Sequence, residues 1–472
     1  MKLKTIQFYL ILLILFNSFY CKIQKNSKSN LFDKILLKEE DLIKSGIEFG
    51  SSLLLKDEKI ILASDGKADD YFGASLSISG NISITGSPNA EVGTTDSQGK
   101  AYIYENNGTY WNEKQILVAS DGEADDIFAL DTSISGNYSI ICSPYAKVGA
   151  NSRQGKVYFF ENNGTYWNEK QILITSDGES GDYFGTSLLI SGNYSLISSS
   201  YAKVGNNTRQ GKVYFFENNG TYWNEKQILI ASDGKADDYF GLGLSISGNI
   251  SLIGSPYATV GNNTKQGKVY FFENNGTYWN EKQILITILF MQQLGNNTNQ
   301  GKAYIFENNG TYWNEKQILI ASDGESDDYF SSSLSISGNI SFIGASYANV
   351  GNNSHQGKVY IYEKDENYWN EKQILIASDG EAENRFGYQI VVFQNYLLSS
   401  SPYTIIENSS NQGKVYSFEI IFISNNIDET TKTNSQKYLI IGLIIGIFIL
   451  ISLIIFIIFW KRRKRKTRSN LI

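Results

Sequence analysis

Ser232-Asp233-Gly234-Lys235-Ala236-Asp237-Asp238-Tyr239-Phe240-Gly241, then Leu244-Ser245-Ile246-Ser247, Gly248-Asn249 and Ile250-Ser251-Leu252-Ile253-Gly254-Ser255-Pro256, is the stretch that decides the fold. A turn-rich acidic segment opens it. Two short alternating runs around a Gly-Asn turn then make a β-hairpin, and Gly254-Ser255-Pro256 stops its second strand. A polar loop, Gly261-Asn262-Asn263-Thr264, leads into Gly267-Lys268-Val269-Tyr270-Phe271-Phe272-Glu273, a third strand of β-branched and aromatic residues. Asn275-Gly276 turns the chain into Tyr278-Trp279, and Gln283-Ile284-Leu285-Ile286 continues as a fourth strand.

That unit recurs. Gln-Gly-Lys before an aromatic strand occurs seven times, at Gly99, Gly155, Gly211, Gly267, Gly301, Gly357 and Gly413. The intervals are 56 residues except between Gly267 and Gly301, where the interval is 34. Four antiparallel strands per unit at a fixed period, with no helical periodicity among them, match the blades of a β-propeller. The expected fold is therefore all-β: a seven-bladed β-propeller of about 56-residue repeats with an incomplete fifth blade, plus one C-terminal transmembrane helix.

Two irregularities bear on that ring. The fifth copy is 22 residues short, and Thr287-Ile288-Leu289-Phe290-Met291-Gln292-Gln293-Leu294 stands in place of its acidic loop and hairpin. Either the blade lacks its two inner strands or coding sequence has been skipped; a half-blade would leave strand edges unpaired inside a ring. The last copy ends at Phe418 without a Trp-Asn-Glu-Lys-Gln strand, while Glu58-Lys59-Ile60-Ile61-Leu62-Ala63-Ser64-Asp65 supplies a shortened version of it. The N-terminal strand is therefore expected to latch the last blade. A competing alignment reads Phe49 through Ser64 as the first hairpin of a repeat.

The ends of the chain read as targeting segments. Lys2 and Lys4 precede an apolar run from Tyr9 to Phe16, so residues 1–21 are expected to be a signal peptide cleaved near Cys21–Lys22. Tyr438 to Trp460 is 23 uncharged residues, roughly 35 Å as a helix, and enough to cross a bilayer. The cluster Lys461-Arg462-Arg463-Lys464-Arg465-Lys466 and Arg468 then holds the tail in the cytoplasm. The expected organisation is a signal peptide (1–21), an N-terminal segment (22–57), the propeller (58–424), a stalk (425–437), a transmembrane helix (438–460) and a basic tail (461–472). That is a type I protein at the plasma membrane with its repeats outside. Formal net charge is −7 overall and −16 between Lys22 and Trp460, which argues against nucleic-acid binding. After signal removal Cys142 is the one cysteine left, so no internal disulfide forms; a buried thiol is expected.

Asp-x-Phe-Gly, the Gly-Ser-Pro after the second strand, and Trp-Asn-Glu-Lys-Gln-Ile-Leu-x-Ala-Ser-Asp-Gly carry a resemblance to FG-GAP repeats, the units of the integrin α-subunit head. Phe-Gly stands at Phe72-Gly73, Phe184-Gly185, Phe240-Gly241 and Phe386-Gly387, and decays to Phe128-Ala129 and Phe330-Ser331. The resemblance runs from about Glu58 to Ser424. It implies a seven-bladed propeller used for adhesion or ligand binding, and it implies no chemistry.

The residues themselves agree on the chemistry. Calcium loops of that family alternate carboxylates, whereas these read Ser-Asp-Gly-x-x-x-Asp, as in Asp65 with Asp69 and Asp70 or Asp323 with Asp327 and Asp328, so no cofactor or metal site is expected. The Asp before Phe-Gly is expected to cap backbone donors. His355, the one histidine, reads as a solvated loop residue without a nucleophile or metal partner, and no catalytic residue is expected. Asn-Gly-Thr sequons at Asn107, Asn163, Asn219, Asn275 and Asn309 lie in exposed turns and are the expected glycosylation sites. The adjoining Tyr110-Trp111 and Tyr166-Trp167 pairs read as blade-to-blade packing. The expected partner is an extracellular protein or glycan, with the membrane met by one span and the oligomeric state open. The alternatives are a passive glycosylated surface coat and, more remotely, a carbohydrate-active hydrolase.

Overall fold

The computed structural model describes residues 53–286 and 299–422, apart from 262 and 264. The chain separates into a compact unit, Leu53–Ile421, and a second unit of Met1–Ser52 with Phe422–Ile472, which lies outside the described residues except for Phe422. The expected signal peptide, stalk, transmembrane helix and basic tail fall outside them too. Among the described residues no helix is long and apolar enough to cross a membrane.

The first blade shows how the repeat folds. Ser75–Ser79, Ile82–Ser87, Lys100–Asn106 and Trp111–Leu117 pair in that order as an antiparallel meander. The second strand is nearly all buried, as expected for a strand covered by blades on both sides. Five further four-stranded sheets repeat the plan. The last is closed by the N-terminal strand Leu53–Ile61, which pairs with Lys414–Phe422, so the latch is real and the competing hairpin alignment is not.

The expectation of seven blades is corrected. Six sheets are complete blades; at the fifth position Ala303–Asn308 and Trp313–Leu319 form only a two-stranded sheet. The 34-residue interval removes the segment that would supply the two inner strands. Leu334 and Ile336 on the next inner strand are consequently 49% and 54% exposed, whereas their counterparts Leu76, Leu188 and Ile190 are buried.

Four kinds of contact recur at the junctions between blades. The Phe of the motif enters the preceding Gln-Gly turn: Phe128 N–H donates to Gln98 O (2.8 Å). A Cβ on Gly99, at φ +94°, would lie 2.1 Å from the Phe128 carbonyl oxygen, which is why glycine is needed there. The same fit recurs for Gly155, Gly211, Gly301 and Gly357, and Gly413 receives Phe72 to close the ring. Gln115 exchanges a pair of hydrogen bonds with the backbone of Trp167 (both 2.8 Å). Ser120 donates its N–H and hydroxyl to Glu169. Among the inner strands, Ile134 N–H donates to Ser77 Oγ (3.1 Å). Apolar clusters lie between blades rather than within them; one joins Ile84, Ile103 and Leu117 of the first blade to Phe128, Ile141 and Trp167 at the second. Cys142 is buried in the next such cluster, as expected.

Candidate functional site

Antiparallel meanders put their connections on two faces. The turns between strands one and two, and between three and four, share one face. The loops between strands two and three, and the links from one blade to the next, share the other.

The turn face is uniform. Asn107, Asn163, Asn219, Asn275 and Asn309 all lie exposed on it. At each, the side-chain oxygen accepts two backbone N–H groups, as from Thr109 and Tyr110 to Asn107 (both 2.9 Å). The tyrosine beside each sequon points outward: Tyr110 is 60% exposed and Tyr166 61%. Here the packing expectation is corrected. Trp167, Trp223, Trp279 and Trp369 are buried, but their tyrosine neighbours are not, because adjacent strand residues face opposite sides.

The loop face holds the acidic residues, and most of them are engaged. The first Asp of each Ser-Asp-Gly binds the Lys and Tyr of the following Gly-Lys strand. Asp121 takes Lys156 Nζ (2.7 Å) and Tyr158 Oη (2.7 Å), and Asp65, Asp177, Asp233, Asp323 and Asp379 do likewise. Burial alone would push the Asp121 pKa up. The hydrogen bonds from Lys156 and Tyr158 and the ammonium charge outweigh that and hold it below the ordinary range. The Asp before Phe-Gly is the backbone cap the sequence predicts: Asp126 Oδ2 accepts Glu123 N–H (2.9 Å), and Asp70, Asp182, Asp238 and Asp328 repeat the bond. Burial raises the pKa of each. Among the described residues no group of three or more His, Cys, Asp or Glu is arranged to hold a metal ion.

His355 has a partner the sequence did not disclose. Its Nδ1 lies 3.0 Å from Glu383 Oε1, and its ring packs edge-on against Tyr347 at 5.4 Å.

Around this face runs a belt of rings that sequence reading missed. Tyrosines come from four of the links, at the residue before the Phe (Tyr71, Tyr183, Tyr239 and Tyr329), and from five of the loops after the second strand (Tyr145, Tyr201, Tyr257, Tyr347 and Tyr403). In sequence order Tyr145, Tyr183, Tyr201, Tyr239 and Tyr257 pack ring on ring at 4.9–5.2 Å. A second arc runs Tyr329, Tyr347, Arg385, Tyr403 and Tyr71, with the Arg385 guanidinium 4.4 Å from Tyr347 and 3.9 Å from Tyr403.

The belt breaks between the first and second blades. There Asn89 and Ile127 occupy the two ring positions, and a pocket of about 550 Å³ opens. Its apolar wall is Ala124, Ile127 and Leu130; Tyr145 borders it, and Asn89, Glu123, Asp125, Lys147, Ser152 and Arg153 give it polar groups. A third departure coincides. The carboxylate corresponding to Asp125 is clamped elsewhere across the junction: Asp237 by Arg209 (2.6 Å), Asp327 by Asn299 (2.7 Å), Glu383 by His355 (3.0 Å) and Asp69 by Asn411 (2.8 Å). Opposite Asp125 stands Ser97, whose hydroxyl bonds Asp96 instead (3.4 Å). Ile127 adds strain, being a β-branched residue at φ +57°.

Comparison with known proteins agrees with the fold. The FG-GAP repeat matches six times, at residues 55–104, 111–160, 167–216, 223–272, 313–362 and 369–418, well over half of the chain. The chain belongs to the FG-GAP repeat family. In this FG-GAP protein the six matches end one strand short of each blade's outer edge, and the unmatched stretch 273–312 takes in the first strand of the two-stranded fifth sheet, whose second strand opens the fifth match. No curated protein matches it. Among solved structures, the crystal structure of Saccharomyces cerevisiae Sqt1 is similar at 9% identity and a TM-score of 0.42, covering 76% of this chain and 97% of that one.

Proposed function

We propose that this FG-GAP protein is a single-pass type I cell-surface protein that binds an extracellular ligand, a protein or a glycan, on the loop face of its propeller. The observation that carries the reading is the pocket at the first junction, where Asn89, Ser97 and Ile127 depart together from the residues that recur on the loop face of the complete blades. A passive coat has no use for such a singularity. The binding is non-catalytic and needs no resident cofactor. Lys2 to Cys21 export the chain, Tyr438 to Trp460 anchor it, and the basic tail stays inside. Sugars on Asn107, Asn163, Asn219, Asn275 and Asn309 would cover the turn face; the loop face has exposed sequons of its own at Asn206, Asn352 and Asn408, none of which lines the pocket.

The test is display of the full-length chain on cells, probed with a panel of matrix proteins, glycoconjugates and other cells, with and without a calcium chelator. Saturable binding that withstands chelation supports the reading. Absence of binding to every probe by a folded, displayed chain refutes it and leaves the coat. Binding lost on chelation would establish a metal requirement that the loops do not suggest.

A further inference from the structure

We propose that the pocket between the first and second blades is a binding site for a neutral saccharide, one or two pyranose rings in size. This rests on the ligand-binding reading above and names the ligand class for that site.

The lining is amphipathic in the way a pyranose is. Ile127 and Leu130 offer an apolar wall for the C–H face of a ring, with Leu130 37% exposed. The hydroxyls of a sugar both donate and accept, so a site must supply both kinds of partner. Glu123 and Asp125 accept; Lys147 and Arg153 donate; the Asn89 amide does both. Among the described residues Asn89, Glu123 and Lys147 make no side-chain hydrogen bond or ion pair, so these groups are free for a ligand.

Charge and size narrow the class. Glu123 and Asp125 balance Lys147 and Arg153, and the remaining acid of the lining adds a negative charge, which disfavours an anionic ligand. The third acid in the pocket, Asp126, is already held by Glu123 N–H and serves the loop. At about 550 Å³ the pocket falls within the range of small-molecule sites. Arg153 is held in advance, 5.6 Å above the Tyr145 ring and 3.3 Å from Tyr183 Oη, which lowers the ordering cost of binding. The strained Ile127 occupies the position where the belt elsewhere has Tyr or Arg, at a junction between two complete blades where both rings are missing.

One saccharide unit in so open a pocket binds weakly, with a Kd on the order of 1 mM, so many displayed copies acting together are needed to hold a ligand. The experiment therefore uses cells displaying the full-length chain and fluorescent polymers carrying neutral mono- and disaccharides, alongside matrix proteins. Wild-type cells are expected to bind at least one polymer saturably, with competition by the free sugar. Asn89→Tyr with Ile127→Tyr refills the belt and should cut that binding by about tenfold or more. Asp125→Asn tests the site without a change of fold, because Asn tolerates the φ of +63° at that position; it should weaken binding several-fold. Sugar binding that both variants retain in full overturns the site. Binding of a matrix protein but of no sugar polymer, sensitive to the belt-refilling variant, overturns the saccharide class and leaves the ligand-binding reading standing. No binding of any probe overturns both.

Discussion

The junction between the first and second blades and the junction between the second and third share one scaffold and differ in their surface. In the first, Phe128 enters beside Gly99 and Asp121 grips Lys156 and Tyr158. In the second, Phe184 enters beside Gly155 and Asp177 grips Lys212 and Tyr214. Above that frame the second junction is roofed by Tyr145 packed edge-on against Tyr183 at 5.2 Å, while the first has Asn89 and Ile127 in those places and an open pocket. The repeated contacts build the ring, and the departures from repetition mark where it can recognise something.

If the frame is common, the two junctions must respond alike when it is attacked. Phe128→Ala and Phe184→Ala each empty a fully buried ring site and are expected to cost about 3–5 kcal/mol, equal within error in chemical denaturation. Gly155→Ala sharpens the point. Its methyl group would sit 2.2 Å from the Phe184 carbonyl oxygen at a φ of +92°, so a loss of at least 2 kcal/mol, on the order of a core truncation, is expected in the same measurement.

The ion pairs give a smaller, pH-dependent effect. The Asp177 pKa is pushed up by burial and then held below its ordinary value by the Lys212 and Tyr214 hydrogen bonds and the lysine charge. A carboxyl depressed by folding contributes stability above its unfolded value near 4, and that contribution disappears as pH falls through the folded value. Asp177→Asn should therefore cost about 0.5–1 kcal/mol at pH 7, a figure reduced for solvent screening of this partly exposed group, and the gap to wild type should close below about pH 4. A gap that widens in acid would reverse the sign of the argument.

The roof itself gives the smallest effect, and one of opposite sign at the two junctions. Ile127→Tyr relieves a β-branched residue at φ +57° and should stabilise by about 1 kcal/mol, whereas Tyr183→Ile, at φ +54°, should destabilise by about the same amount. Thermal unfolding of the two variants in parallel reads the difference.

Much of the frame is legible in the chain. The 56-residue period, the alternating strands, the latch at Glu58–Asp65 and the capping role of Asp70 and its counterparts follow from local pattern. The short fifth interval is also legible, but its effect on blade count depends on strand pairing, which spacing alone does not settle. The site is less legible. Asn89, Ser97 and Ile127 each stand out when the copies are aligned, yet they are scattered over 39 residues, and only the folded ring brings Asn89 and Ile127 into one pocket. The pairing of His355 with Glu383 and the exposure of Tyr110 beside the packed tryptophans depend on which side of a loop or strand a residue faces.

The claim that the first junction is the recognition site is tested most directly by comparing two variants of the full-length chain displayed on cells. One refills the belt, Asn89→Tyr with Ile127→Tyr; the other alters the opposite face, Tyr110→Ser with Tyr166→Ser. Both leave the inter-blade frame untouched. Ligand binding lost only in the belt variant is the predicted result. Binding lost only in the turn-face variant would place recognition on the side assigned here to glycans and contradict the account.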